Sequence, residues 1–157
     1  MRRQAGFSYL VVLAAVVVVG IVAEAARATT WRALKADRES ELLFRGFAYR
    51  NAIRSFHLVH GTFPRTLEDL EKDPRFPSKR HIRKLYRDPM AKEEKGEWRL
   101  LMAAGGGIAG VSSASGEEPL KKANFPLELE KFTGAQSYSE WIFEYTPPPK
   151  PPQPKKS

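Results

Sequence analysis

Three histidines are the side chains in this 157-residue chain best suited to bind a metal or move a proton. His57 and His60 are close enough in sequence to share one helix face, and His81 lies farther along the chain. No glutamate follows the pair at the spacing of a zinc site, and two histidines alone do not make one. The chain has no cysteine, which excludes thiolate zinc sites, disulfides and a cysteine nucleophile. We therefore expect no metal centre and no cofactor.

Enzyme motifs are also missing from the sequence. It contains no Gly-x-Ser-x-Gly, no Walker loop and no convincing pair of carboxylates. Gly105, Gly107 and Gly110 match the letters of a dinucleotide-binding fingerprint, but no helix pattern and no suitably placed acid follow them. The flanking apolar runs favour a β-hairpin. We expect that the chain is not an enzyme.

Positive charge gathers in the middle of the chain, where it could bind a polyanion. The formal net charge is +8, and the densest cluster holds Lys79, Arg80, Arg83 and Lys84. These cations could contact DNA or another polyanion, or they could form a solvated face or pair with acidic partners. Tyr86 is the only aromatic residue close to them, so stacking on single strands is poorly supported. Nucleic acid is not the partner that we expect.

The N-terminal end of the chain supplies an apolar element that could span a membrane. From Ala5 to Ala23 there are 19 consecutive uncharged residues, and about 20 apolar residues in a helix cross a hydrocarbon core. Arg2 and Arg3 precede this segment, so the positive-inside rule keeps the N-terminus cytoplasmic and exports the rest. A simple signal anchor and a secretory signal peptide cut after the A-x-A pattern at 23–25 are both open interpretations.

The first residues of the apolar segment carry a more specific pattern. They read Gly6-Phe7-Ser8-Tyr9-Leu10 after a short basic leader. This arrangement resembles the class III leader of type IV pilins and type II secretion pseudopilins. The resemblance implies that prepilin peptidase cuts between Gly6 and Phe7 and methylates the new Phe7 terminus. It also implies that the mature helix packs in a filament, where we expect contacts from Leu10, Val11, Leu13, Val17 and Glu24.

Two features depart from the pattern of that family. The fifth mature residue is usually a glutamate that pairs with the N-terminal amine of a neighbouring subunit, and this chain has Val11 there. In the family, loss of the glutamate is associated with a minor subunit at the filament tip; a subunit that docks by apolar packing alone is the alternative. Major pseudopilins often bind calcium in a head loop, but around Glu117 and Glu118 the Asp- and Asn-rich ligand pattern is missing.

After the apolar segment, the sequence predicts a small α+β head. Apolar side chains from 42 to 56 recur on one helical face, and Gly61 ends the helix. A short helix is expected to begin at Thr66, with Asp69 three residues on. Strands are expected at 97–103, 108–113 and 138–145. The residues expected in the head core are Leu42, Tyr49, Ile53, Phe56, Trp98, Trp141 and Phe143.

Weaker matches extend the resemblance over the first two thirds of the chain. They are Phe-Pro-x-x-Leu-x-x-Leu at 63–70 and Arg-Asp-Pro at 87–89. The expected fold is pilin-like, with a long N-terminal helix packed on a small antiparallel sheet. The expected organisation is a leader at 1–6, a transmembrane segment at 7–29, a periplasmic head at 30–146 and a disordered Pro/Lys-rich tail at 147–157.

The resemblance implies a structural role in a bacterial inner membrane. The chain would be a minor subunit of a type II secretion or type IV pilus-like filament involved in protein export. Its expected partners are other pilin-like subunits, prepilin peptidase, the inner-membrane assembly platform and lipid. The alternative is a membrane-anchored or secreted periplasmic binding protein that uses the basic cluster.

Overall fold

A computed structural model describes residues 4–92 and 96–148, except for the side chains of residues 4–7 and residue 28. The helices are α1 at Gln4–His60 and α2 at Glu68–Glu71, with two 3-10 helices at Leu127–Phe132 and Tyr138–Glu140. The strands are β1 at Arg99–Met102, β2 at Ile108–Ser112 and β3 at Ile142–Glu144. The architecture is α+β, as the sequence predicts, with a long N-terminal helix and a small antiparallel sheet.

Helix α1 contributes to both compact units of the chain. The first unit ends at Asp37 and the second begins at Arg38. Nearly all described side chains of the first unit are exposed, whereas in the second unit one face of α1 is buried. The helix ends where Gly61 takes a φ of +68° and donates its N–H to the His57 carbonyl at 2.7 Å. A glycine in this left-handed conformation is a common helix stop.

The sheet of the second unit is a small antiparallel meander. Its strand order is β1-β2-β3. In the first pair Leu100 lies opposite Val111, and in the second pair Val111 lies opposite Phe143. The central strand is almost wholly buried and β1 is mostly exposed, so one side of β2 and β3 is available to pack against α1.

The glycine run between β1 and β2 forms the turn of a hairpin. Gly106 and Gly107 have φ values of +85° and +84°. Ala103 donates its N–H to the Gly107 carbonyl at 2.9 Å and closes the turn. A Cβ on Gly107 would also lie 2.7 Å from Phe63 Cβ. Backbone conformation and close packing therefore both require glycine there.

The third strand is shorter than the sequence predicts. Tyr138–Glu140 form a 3-10 helix, and β3 begins at Ile142. The Tyr138 hydroxyl donates to the buried Glu39 carboxylate at 2.8 Å, a contact between residues 99 positions apart. Alternation of aromatic side chains predicts an extended strand, but this distant hydrogen bond draws Tyr138 into the core instead.

The core of the second unit contains the buried face of α1, aromatic side chains from the C-terminal part, and the sheet. Phe132 and Trp141 stack with ring centroids 5.4 Å apart and an interplanar angle of 4°. Gly46 gives the Phe143 ring its place, because a Cβ there would collide with that ring. The seven side chains expected in the core are each at most 8% exposed: Leu42, Tyr49, Ile53, Phe56, Trp98, Trp141 and Phe143.

Buried carboxylates fasten long loops that contain little regular structure. Glu39 on α1 accepts the backbone N–H of Leu120 at 2.8 Å in addition to the Tyr138 hydroxyl. Asp88 accepts the hydroxyl of Ser113 at 2.7 Å. Hydrogen bonds to a charged group contribute about 1.5–3 kcal/mol each. Such bonds take the place of the backbone hydrogen bonds that a larger sheet would provide. A third buried carboxylate, Asp73, lies just after α2.

Candidate functional site

The apolar part of α1 has the length and composition of a membrane-spanning helix. Its qualifying 18-residue window lies within Ser8–His60, and none of that window is buried. The predicted filament-packing residues in this part are all exposed: Leu10, Val11, Leu13 and Val17. Glu24 forms an exposed ion pair with Arg27 at 3.7 Å. An exposed apolar surface of this extent is compatible with a single-pass membrane segment.

The predicted leader lies at the edge of the described part of the chain. Gly6 and Phe7 belong to α1 by their backbone, but their side chains are outside the described residues. Residues 1–3, with Arg2 and Arg3, and residues 149–157 of the predicted tail are also outside them. Cleavage at Gly6 and methylation of Phe7 therefore stay predictions from the sequence.

The basic cluster occupies the segment after α2. Lys79, Arg80, Arg83 and Lys84 are exposed, while Ile82 between them is 6% exposed and anchors the segment in the core. The cations of the cluster are therefore accessible to solvent and to a partner. His81 lies between these cations in the sequence, but its side chain is buried in the interior of the head.

His60, Asp73 and His81 converge inside the head, a meeting that the sequence does not predict. The Nε2 atoms of His60 and His81 lie 2.7 Å and 3.1 Å from Asp73 Oδ2. The three side chains are 2%, 0% and 0% exposed, respectively. One nitrogen from each imidazole and one carboxylate oxygen lie within 4.8 Å of one another, as in a group able to hold a metal ion.

Local structure fixes the carboxylate of this cluster. Asp73 lies two residues after α2, and its Oδ1 accepts the backbone N–H groups of Arg75 at 2.8 Å and Phe76 at 3.1 Å. Aspartate often forms such turns with its own backbone. Because both N–H groups bond to Oδ1, Oδ2 is left to face the two imidazoles.

The two histidines are held by different elements. His60 is the last residue of α1, and its ring stacks on Phe76 at a centroid distance of 5.7 Å. His81 lies in the loop after α2 and donates its backbone N–H to the Leu70 carbonyl at 2.9 Å. The Oγ of Ser55 on α1 lies 2.8 Å from His81 Nδ1. Ring orientation is therefore set before any ligand arrives.

Electrostatics keep Asp73 ionised. Burial alone would raise the pKa of Asp73, but hydrogen bonds from His60, His81 and two backbone N–H groups outweigh it and hold that pKa well below its usual range. The Nε2–H groups of the two imidazoles are the donors that this arrangement requires. When His81 Nδ1 carries no proton, it accepts the Ser55 hydroxyl proton.

His57 is the histidine nearest to His60 in the sequence, but among the described residues the two rings do not share a partner. The His57 ring lies against Phe63 and Tyr145, with centroids 4.7 Å and 5.6 Å away. The partner of His60 is instead His81, which follows a loop whose path is set by tertiary hydrogen bonds. The local sequence hints at this site only through His81, which lies within the basic cluster. The absence of a glutamate at ligand spacing carried no information, because the third group is an aspartate 13 residues beyond His60.

No family model, curated protein or solved structure matches this chain. The likeness to pilins consequently rests on the motif at residues 6–10 and on the weaker patterns in the head. The function has to be inferred from three features of the chain itself. These are the exposed apolar part of α1, the head built on the same helix, and that motif.

Proposed function

We propose that the chain is a pilin-like structural subunit of a type II secretion or type IV pilus-like filament. The observation that carries the proposal is the continuity of α1 from Gln4 to His60. One helix supplies both an exposed apolar segment and the buried face of the head core. The Gly6-Phe7 motif at the start of the segment supports the same assignment, because it resembles a prepilin leader.

The apolar side chains of α1 suit exchange between lipid and sister helices. Lipid tails are as apolar as leucine, so helix association in this setting depends on close packing rather than on the hydrophobic effect. Small residues favour such packing, and Gly20 has no atom within 4 Å of the position that a Cβ would take. In our proposal the subunit is stored in the inner membrane and then extracted into a filament.

Orientation in the membrane follows from charge. The arginines at 2 and 3 stay on the cytoplasmic side by the positive-inside rule. The head is then exported to the periplasm, where the absence of cysteine means that it folds without disulfides. Filament subunits, prepilin peptidase and the assembly platform of the inner membrane are the partners in this proposal.

Mass spectrometry of the native N-terminus tests the proposal. A chain that begins at methylated Phe7 supports it, whereas a start at Ala26 indicates a secretory signal peptide and an intact leader indicates a simple anchor. Gly6→Leu should leave the leader uncleaved and block entry into filaments while the protein still inserts in the membrane. Gly20→Leu makes the same change within the apolar segment and should be cleaved normally. Normal processing of Gly6→Leu would contradict the proposal.

A second candidate function is favoured by the exposure of the basic cluster. Lys79, Arg80, Arg83 and Lys84 lie within six residues and face solvent. Binding to DNA through phosphates would weaken with salt, with a slope of about −0.9 per phosphate contact in a log–log plot. Replacing all four cations by glutamine should then remove most of that slope. Unchanged binding by this variant would exclude the cluster as the polyanion site.

A further inference from the structure

We propose that His60, Asp73 and His81 form a zinc site that fastens the end of α1 to the loop after α2. The proposal does not depend on filament assembly, because all three ligands lie inside one head. His60 Nε2, His81 Nε2 and Asp73 Oδ2 are the three ligand atoms. Zinc commonly takes imidazole nitrogen and carboxylate oxygen in this combination.

The spacing of the ligand atoms is close to what zinc requires. A tetrahedral ion with bonds of about 2.0–2.1 Å holds its ligand atoms about 3.3 Å apart. Asp73 Oδ2 lies 2.7 Å from His60 Nε2 and 3.1 Å from His81 Nε2. Small rotations of the side chains would open these contacts enough to admit the ion. The three ligand atoms lie within 4.8 Å of one another.

The groups around the ligands orient them as metal sites usually require. A ligating histidine typically uses its second nitrogen to bond a neighbouring group. Ser55 Oγ lies 2.8 Å from His81 Nδ1 and is such a partner. Two backbone N–H groups bond Asp73 Oδ1, which leaves Oδ2 for the ion. Ser55 is therefore a positioning residue, not a ligand.

The ligand types favour zinc over the hard cations. Two imidazoles and one carboxylate suit zinc, whereas calcium and magnesium prefer sets made of oxygen. Among the described residues these three form the group close enough to share an ion, so water would take the fourth position.

The same side chains can also form a hydrogen-bond network without a metal. In that state each imidazole donates its Nε2–H to Asp73. With zinc on Nε2 the proton sits on Nδ1, and His81 donates it to Ser55 Oγ. The two states use the same residues and differ in a proton position, so they are separated by measuring the metal.

Zinc binding by the full chain in detergent, purified without a histidine tag and stripped with a chelator, tests the site. We expect one tightly bound Zn²⁺ per chain after desalting, measured by elemental mass spectrometry, and a rise in unfolding temperature. Calcium at the same concentration should produce neither effect. Cobalt in place of zinc should give the visible absorption of a four-coordinate site.

Variants distinguish this site from adventitious binding. His81→Gln should abolish stoichiometric zinc, while His57→Gln, which changes the one histidine outside the cluster, should retain it. Ser55→Ala keeps every ligand and should weaken zinc binding about tenfold or more. If the unaltered chain binds no stoichiometric zinc, the proposal is overturned whether or not a variant folds. Zinc retained by His81→Gln, or lost in His57→Gln, would overturn it as well.

Discussion

The hydroxyl of Tyr49 holds the segment that precedes β1. It donates to the Tyr86 carbonyl at 2.9 Å and accepts the Tyr86 N–H at 2.8 Å. The indole of Trp98 donates to the same carbonyl at 2.9 Å. The backbone N–H and carbonyl of one residue in an irregular segment are thus satisfied by two aromatic side chains of the core. This arrangement makes the protonation state of Tyr49 matter for stability.

Alkaline pH should destabilise the head through Tyr49. Burial raises the pKa of this phenol to about 12, although its hydrogen bond to Tyr86 lowers the pKa in part. The unfolded chain releases the proton near pH 10, so the contribution is complete below about pH 10 and is lost as pH rises toward 12. In urea unfolding of the full chain in detergent, the free energy of unfolding should fall between about pH 9 and about pH 11.5 by on the order of 2 kcal/mol more than in Tyr49→Phe.

Tyr9→Phe supplies the control for this measurement, because Tyr9 is exposed in the apolar part of α1. Its pH profile should match that of the unaltered chain. Burial also raises the pKa of Tyr138, so some alkaline loss should persist in Tyr49→Phe. Identical profiles for the unaltered chain and Tyr49→Phe would show that Tyr49 does not carry the effect.

Gly46 should tolerate no side chain, even though alanine is the better helix former. Alanine in a helix interior is favoured over glycine by about 1 kcal/mol. A Cβ at this position would collide with the Phe143 ring, and such overpacking costs about 1–3 kcal/mol. Because the collision is severe, we expect Gly46→Ala to lower the free energy of unfolding by about 1–2 kcal/mol net.

The matched variant for Gly46 is Gly20→Ala on the same helix. Nothing lies within 4 Å of the Cβ that Gly20 would gain. Thermal unfolding of the head should therefore be unchanged by Gly20→Ala and lowered by Gly46→Ala. A Gly46→Ala protein that unfolds at the same temperature or higher would show that Phe143 can move aside at little cost.

Side chains that satisfy distant groups were the least predictable from the sequence. Glu39 bonds the backbone of Leu120 and Lys121, which are 81 and 82 positions away. His81 finds Asp73 and Ser55 only after the loop has folded back on α1. The types of these residues give no sign of their partners, since glutamate is mostly exposed and histidine is intermediate in burial. The candidate zinc site was therefore invisible before the tertiary structure was known.

Regular periodicity, in contrast, made the head half of α1 predictable. An apolar helix face is buried against the core, whichever part of the chain packs on it. Leu42, Ile53 and Phe56 are all buried as that periodicity indicates. The end of α1 at Gly61 was also predictable, because a glycine in the left-handed conformation commonly ends a helix. The start of β3 was not, because its boundary depends on a hydrogen bond across the core.

Truncation should separate the two roles of α1. A chain that starts at Thr30 loses the apolar segment and keeps the buried face from Leu42 to Phe56, and the second compact unit begins only at Arg38. We expect it to be soluble and folded by size-exclusion chromatography and circular dichroism. A chain that starts at Gly61 loses this face, exposes the apolar side of the sheet and should aggregate.

The two truncations have the same C-terminus, so their comparison isolates the head half of α1. A monodisperse, folded chain from Gly61 onward would contradict the packing between α1 and the sheet. Aggregation of the chain from Thr30 as well would show that the apolar segment is needed for the head to fold. Either result is read from the same chromatogram.

In the filament that we propose, Val11 should report the position of the subunit. In an interior subunit a glutamate there could pair with the amine of a neighbour, whereas a tip subunit has nothing above it. In lipid, an unpaired carboxylate costs about 2.5–3.5 kcal/mol at the bilayer centre, and less toward the edge. For a minor subunit at the tip we expect Val11→Glu to lower its recovery in filaments or leave it unchanged.

Cross-linked subunit in sheared filaments provides the measurement for Val11. Val12→Glu adds the same charge one residue along the helix and is the control for the cost of a carboxylate in lipid. Greater recovery of Val11→Glu along the shaft, with no gain for Val12→Glu, would place the subunit in the shaft. It would also show that the native chain has dispensed with the ion pair.

The long-range contacts of the head also determine when α1 can be covered during synthesis of the chain. Arg50 bonds the carbonyl of Glu144, 94 residues later, and Glu39 bonds Tyr138, 99 residues later. Ribosomes add about 5–20 residues per second, so the apolar face of α1 is made roughly 5–20 seconds before its cover. A message that stalls before the codons of β3 would release a helix whose cover lacks the part that β3 supplies. We expect quality-control proteases to remove such chains, which makes the three residues of β3 decisive for survival of the whole product.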